Sequence, residues 1–208
     1  MPDAGRVIAG TAAGRRLRAP GPGTRPLADR VKQTLFAILE PDLPGATVVD
    51  LFAGSGAAGI EALSRGAASA IFVERDGGAV AAIAENLRTT GLAGAATIVR
   101  GDALGWLDRA QPSSVDLVIV DPPYADPSVL EAALSRLGAA RSPLRAGGRV
   151  VAKHFWRDRP AGRFGLLASE RERRFGETAL TFLRRMDPEN ARAPSGTAET
   201  TRTTEEDR

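Results

Sequence analysis

The chain has 208 residues, 43% of them hydrophobic, with 28 Lys/Arg against 25 Asp/Glu and no cysteine. That length suits one globular domain with appendages. No apolar run approaches the roughly 20 residues of a membrane span, no signal-peptide pattern opens the sequence, and the lack of cysteine excludes disulfides and thiolate-metal sites, so a soluble cytoplasmic protein without a metal is expected. The net charge of +3 is unevenly spread. Residues 1–35 carry seven Lys/Arg and two Asp/Glu, 36–148 eight and thirteen, 149–185 ten and four, and 186–208 three and six. An acidic middle between two basic segments fits a core with one function and flanks that face a polyanion, nucleic acid first. The plain alternative is an arginine-rich solvated surface.

In chain order, Arg6-Val7-Ile8-Ala9-Gly10 and Arg15-Arg16-Leu17-Arg18 around Gly14 predict a small β-hairpin. A Pro/Gly linker from Pro20 to Gly23 leads to a predicted helix over Ala28 to Leu39, with Val31, Leu35 and Ile38 on one face and Arg30 and Lys32 off it. Short apolar runs then alternate with helical patterns. Strands are predicted at 47–51, 70–74, 96–99, 115–120 and 149–153, with helices through about Arg65 and over 79–90, 103–110 and 128–137. Residues 171–175 and 179–184 read as a closing antiparallel pair. The alternation is that of an α/β protein with a mainly parallel sheet. Three regions follow: an N-terminal extension (1–40), a main domain (41–186) and a tail (187–208) whose Thr/Glu/Ala/Arg-rich composition predicts disorder.

Between the first main-domain strand and its helix lies Asp50-Leu51-Phe52-Ala53-Gly54-Ser55-Gly56-Ala57-Ala58-Gly59, a complete G-x-G-x-x-G. Glycine there lets a nucleotide-type cofactor approach backbone N–H groups. Eighteen residues beyond Gly56, Glu74 ends the second strand, where a carboxylate can accept from both hydroxyls of a ribose. These features fit NAD and S-adenosylmethionine alike, or a turn that only packs helix on strand. Asp102, after the third strand, is placed to accept from an adenine amine. Acids at four strand ends, Asp50, Glu74, Asp102 and Asp121, suit a cationic cofactor better than a pyrophosphate.

The fourth strand runs into Asp121-Pro122-Pro123-Tyr124. In an open parallel sheet the ligand sits beyond the carboxyl ends of the strands, so this tetrapeptide faces the same crevice as the glycine turn. Proline has a fixed φ and no N–H. With the Asp121 carboxylate, the turn is expected to offer acceptors only, which is what recognises an NH₂ group and points its lone pair. Tyr124 offers a face for a planar base. The plainer alternative is strand termination with a packing tyrosine.

Asp-Pro-Pro-Tyr together with the Phe52–Gly56 turn resembles the S-adenosylmethionine-dependent amino-methyltransferases that carry an (Asp/Asn/Ser)-Pro-Pro-(Tyr/Phe) motif. Arg6–Gly10 with Gly14–Leu17, Arg25-Pro26 with Asp29–Phe36, and Glu61–Ala67 after the glycine turn make the likeness narrower. In that order they resemble the RsmD-type family, the 16S rRNA guanine(966)-N2 methyltransferases of bacteria, over about Arg6 to Arg185. The resemblance implies a Rossmann-like class I methyltransferase with a mainly parallel seven-stranded sheet, an antiparallel C-terminal strand and an N-terminal hairpin and helix. It implies S-adenosylmethionine held by Asp50, Phe52, Ala53, Gly54, Ser55, Gly56, Glu74, Arg75, Asp102 and Ala103, and a guanine held by Asp121, Pro122, Pro123 and Tyr124. It implies 16S rRNA as partner, in an assembling 30S subunit, contacted through Arg6, Arg15, Arg16, Arg18, Arg25, Arg30 and Lys32. Leu27-Ala28 depart from the small hydroxyl residues common there. Another amino-methyltransferase of this fold, acting on adenine N6 or a protein glutamine, and more distantly an NAD-linked oxidoreductase, are the competing readings. The single His154 reads as structural.

Overall fold

A computed structural model describes residues 3–21, 28–123 and 126–189; Arg25, Tyr124 and most of the predicted tail lie outside them. The N-terminal extension consists of β1 (Asp3–Arg6), β2 (Arg16–Arg18) and α1 (Asp29–Leu39). The main domain follows as β3 (Thr47–Leu51), α2 (Ala57–Ser64), β4 (Ser69–Glu74), α3 (Gly77–Thr90), β5 (Ala96–Arg100), α4 (Ala103–Arg109), β6 (Val115–Val120) and α5 (Pro127–Gly138). It ends with β7 (Leu144–Phe155), β8 (Arg163–Phe164), β9 (Leu167–Phe175) and β10 (Thr178–Arg185).

The main sheet runs β5-β4-β3-β6-β7-β10-β9-β8. The strands from β5 to β7 are parallel, while β10 lies antiparallel between β7 and β9. The seven expected strands are present, and the two-residue β8 adds a short outer edge. Strand period sorts the side chains onto two faces. Val48, Phe72, Ile119, Val151, Leu180 and Phe182 join Leu35, Phe36, Leu39, Ile60 and Ile83 under α1, α2 and α3. Val49, Leu51, Val118, Val120, Val150 and Leu183 pack with Leu107, Leu130, Leu134 and Leu137 under α4 and α5. Coverage on both faces explains why β6 is apolar almost throughout.

The hairpin departs from expectation. Its first strand is Asp3–Arg6, not Arg6–Gly10, and it pairs Asp3 with Arg18 and Arg6 with Arg16. The reason is a set of bonds that draw residues 8–12 onto α2. The N–H groups of Ile8 and Ala9 donate to the Glu61 carboxylate at 2.7 and 3.1 Å. Ala12 N–H donates to Ser64 Oγ, and Ser64 Oγ donates to the Ala9 carbonyl. Gly10 passes so close to the Ser64 carbonyl that a Cβ there would lie 1.7 Å from its oxygen, so only glycine fits. Asn86 of α3 completes the fastening, accepting from Arg18 N–H and donating to the carbonyls of Arg18 and Ser55.

Helix α1 also differs in its facing. Its buried stripe is Val31, Lys32, Leu35, Phe36 and Leu39. Lys32 is fully buried and its Nζ donates to the Arg6 carbonyl. Burial holds its ammonium below the usual lysine range, against the pull of Glu61 and Asp29. Lys32 therefore ties α1 to the hairpin and is not placed to contact a phosphate, which corrects its assignment to RNA.

Candidate active site

The carboxyl ends of β3, β4 and β6, with the loops behind them, open into a cavity of about 750 Å³. Its lining includes Asp50, Phe52, Glu74, Asp102, Asp121 and Lys153, and it extends under Ala4, Ala19, Pro20 and Leu35 of the N-terminal extension. The crevice of the main domain is thus roofed in part by the extension.

At one end lies the glycine turn. Phe52, Gly54 and Gly56 all have positive φ, Phe52 at 60°. A Cβ on Gly59 would meet the Phe72 ring at 2.4 Å, so this third glycine lets α2 pack against β4. Asp50 ends β3 on the same face, 3% exposed, and its Oδ2 accepts from the Gly59 N–H at 2.8 Å. Burial pushes the Asp50 carboxyl up to about 8; the Gly59 bond opposes this, and the charges of Asp121 and Glu74 add to it.

Glu74 is held by the N–H groups of Gly54 (Oε2, 2.9 Å) and Asp76 (Oε1, 2.9 Å). That fixes its carboxylate at the end of β4 while each oxygen keeps a lone pair for a further donor, such as one hydroxyl of a diol. Asp102 caps α4, its Oδ2 accepting from Gly105 N–H at 2.7 Å. Arg75 is exposed at the mouth, and Ala103 is buried behind Asp102. The described residues thus offer a cationic cofactor with a diol and a flat base an acid near each part.

At the other end, Asp121 leaves β6 with Pro122 and Pro123 beside it in the cavity wall. Lys153 of β7 grips both Asp121 oxygens, at 2.7 and 2.9 Å. Burial pushes the Asp121 carboxyl up, and the Lys153 ammonium pulls against it. The expected acceptor-only pocket therefore has an ammonium at its back. The carboxylate is oriented and its charge balanced, with lone pairs left for an amine in front.

Two residues here went unnoticed in the sequence. Lys153 stands in an apolar strand on the alternation that also holds Val151, and a lysine at such a position was the available signal. Asn86 stands on the buried stripe of α3 with Ala79, Ile83 and Leu87. His154 is buried, bonded through its ring to Thr181 Oγ1 and the Phe155 carbonyl, away from the acids of the cavity. Among the described residues, no group of three or more His, Asp or Glu is placed to hold a metal ion.

A sheet of this order, with a glycine turn behind its first strand and acids on the carboxyl ends of neighbouring strands, defines the class I methyltransferase architecture. More narrowly, the chain belongs to the family described as Conserved hypothetical protein 95, which matches residues 5–184. It is 36% identical over 183 residues to "Putative rRNA methyltransferase YlbH" of Bacillus subtilis (strain 168), covering 86% of this chain and 98% of that protein. It is 44% identical over 121 residues to "Ribosomal RNA small subunit methyltransferase D" of Escherichia coli (strain K12), covering 57% of this chain and 60% of that one. Among solved structures, "Putative methyltransferase yhhF" from Escherichia coli superposes with a TM-score of 0.77 at 32% identity, over 87% of this chain and 97% of that one. An RNA methyltransferase from Salinibacter ruber, in complex with S-adenosyl-L-homocysteine, shares the fold at 20% identity and a TM-score of 0.62, over 83% and 98% of the two chains.

Proposed function

We propose that this protein transfers a methyl group from S-adenosylmethionine to the exocyclic N2 of a guanine in 16S rRNA, at the position-966 type of site. The observation that carries this reading is the placement of Asp121, Pro122 and Pro123 in the same cavity as the glycine turn and its acids, in a chain of this family. S-adenosylmethionine, when bound, supplies an electrophilic methyl on a positively charged sulfur. The loop from Phe52 to Gly56 cradles the cofactor beside Asp50, which receives its ammonium group. Glu74 takes the ribose hydroxyls, and Asp102 with Arg75 and Ala103 borders the adenine.

Asp121 and the Pro122 carbonyl hold the two protons of the guanine NH₂. This localises the nitrogen lone pair and aims it along the cavity, with Tyr124 as the surface under the flipped base. Lys153 favours the charged form of Asp121 and holds its carboxylate turned to the amine. Transfer would form the N–C bond as the C–S bond breaks with its electron pair left on sulfur, and Asp121 or water would take the surplus amine proton.

The extension, residues 1–40, is the RNA-binding part and 41–186 the methyltransferase part. Arg15 and Arg30 are exposed without an acidic partner among the described residues and offer the strongest phosphate contacts. Arg6, Arg16 and Arg18 pair at the surface with Asp29, Asp3 and Glu85, pairs that a phosphate can replace at small cost; Arg25, outside the described residues, is assigned to RNA by the family resemblance alone. The partner is 16S rRNA in an assembling 30S subunit, and the site of action is the cytoplasm. No described helix is long and apolar enough to cross a membrane.

The test is incubation with labelled S-adenosylmethionine and either naked 16S rRNA or 30S particles, followed by mapping of the modified nucleotide. Label on a guanine N2 is the expected result. A methylated adenine, or no labelled RNA, overturns the reading.

A further inference from the structure

The two basic segments, residues 1–35 and 149–185, meet on one face of the folded chain. Between α1 and β9 runs an open groove of about 550 Å³ lined by Gln33, Thr34, Ala37, Ile38, Arg171 and Arg173. On α1, Arg30 lies one turn before Gln33 and Thr34, so 30, 33, 34 and 37 form one outward stripe. Across from it, Arg171 and Arg173 stand two residues apart on β9 and share a face of the strand.

Charge on β9 is divided by face. Glu170 pairs with Arg184 and Arg149, and Glu172 pairs with Arg159. Arg171 and Arg173 have no carboxylate partner among the described residues, and both are exposed. Among the described residues, β8 reaches β9 only at Leu167 and Ala168, and from Glu170 to Phe175 the outer edge of β9 has no strand partner. Two guanidinium groups at a strand edge that no further strand covers suit phosphate oxygens.

Register connects this groove to the reacting end of the cavity. Val120 pairs with Ala152, which sets Asp121 beside Lys153; Lys153 pairs with Leu180, and Leu180 pairs with Arg173. Residues directly opposite across strands point to the same face. Asp121, Lys153, Leu180 and Arg173 therefore form one row across the α1 face, three strand spacings or about 14 Å long.

We propose that the α1–β9 groove, through Arg171, Arg173 and Arg30, holds phosphates of the RNA strand next to the target nucleotide. The proposal rests on the methyltransferase reading above for the identity of the polyanion. Its competitor is edge protection, in which Arg171 and Arg173 keep β9 from pairing with a strand of another molecule.

The experiment uses the full chain carrying Arg171→Gln with Arg173→Gln, and a 16S rRNA transcript as probe. Filter binding across a potassium chloride series is expected to show about tenfold weaker binding and a salt slope smaller by about 1.4, for two single-strand phosphate contacts at about 0.7 each. The KM for RNA rises in step, while kcat at saturating RNA and the affinity for S-adenosylhomocysteine stay at wild-type values. Arg159→Gln, which removes an arginine already paired with Glu172, leaves the slope unchanged. Wild-type affinity and slope in the double variant overturn the proposal, as does self-association by light scattering with RNA binding intact. If the wild type binds the transcript and methylates neither it nor 30S particles, the methyltransferase reading fails, and the slope comparison still decides the groove.

Discussion

In the proposed reaction Asp121 holds the amine, and its carboxyl shows why neighbours matter more than motif. Half-buried in the cavity wall, it would drift towards the neutral form without the Lys153 ammonium. Asp121→Ala is expected to lower kcat by about two to three orders of magnitude, the range for deleting one oriented polar contact, while S-adenosylhomocysteine binding persists in calorimetry. Lys153→Met removes the counter-charge, so the Asp121 pKa rises and the acid limb of the kcat–pH profile moves to higher pH; Lys153→Arg restores it, and an unmoved profile would reduce Lys153 to a space-filler. Asp50 carries the opposite kind of information. Its carboxyl is protonated in the folded, unliganded protein up to about 8, against 3.8 for an unperturbed group. Between those values the folded state binds more protons than the unfolded one, so raising the pH favours unfolding. The Tm of the unliganded protein should fall from pH 5 to pH 8.5, and Asp50→Asn should flatten that share of the fall. That Asp50, Glu74, Asp102 and Asp121 with Pro122 and Pro123 share one cavity was legible in the sequence, because residue type and distance behind a strand mark them. Lys153 was not, since its partner lies 32 positions away and only the β6–β7 register brings them together.

Elements were legible where period is strong and bonds are local. The helices predicted at 79–90 and 128–137 form over Gly77–Thr90 and Pro127–Gly138, differing by a cap residue or two. β7 and β9 were underestimated, as Leu144–Phe155 and Leu167–Phe175 include Gly147-Gly148 and charged stretches that lack apolar alternation. Their sheet partners supply what local propensity does not. The extension shows the same override: the hairpin's first strand and the facing of α1 follow from Glu61, Ser64 and Asn86, which belong to other elements. Glu61 is fully buried and accepts from Ile8, Ala9 and Arg65 at once. Glu61→Ala leaves two amides and a largely buried guanidinium without their acceptor, and is expected to cost about 3–5 kcal/mol by urea unfolding. Faster amide exchange at Ile8 and Ala9 should accompany it; a midpoint within about 0.5 kcal/mol of wild type would show that the segment is held by other means.

On the scale of the whole molecule, the order of strands and the meeting of the two basic segments were beyond the sequence, because both are set by which strands pair. The parallel α/β class was legible from alternation alone, yet nothing local places β10 between β7 and β9 or sets Arg173 in line with Lys153. The same assembly makes the cofactor cavity a joint product of extension and core, with Ala4, Ala19 and Pro20 on one side and the glycine turn on the other. Asn86 bonds to both, through Arg18 and Ser55. A ligand that needs both walls should therefore stabilise both. S-adenosylhomocysteine at 100 times its Kd is expected to stabilise the protein by about 2.7 kcal/mol and to slow hydrogen exchange at Arg18 as well as at core amides of β3. With Asn86→Ala the β3 amides should keep a ligand-dependent gain while the Arg18 amide loses most of its own. Equal protection of Arg18 with and without ligand in the wild type would mean that the extension is only a lid over a site built by the core.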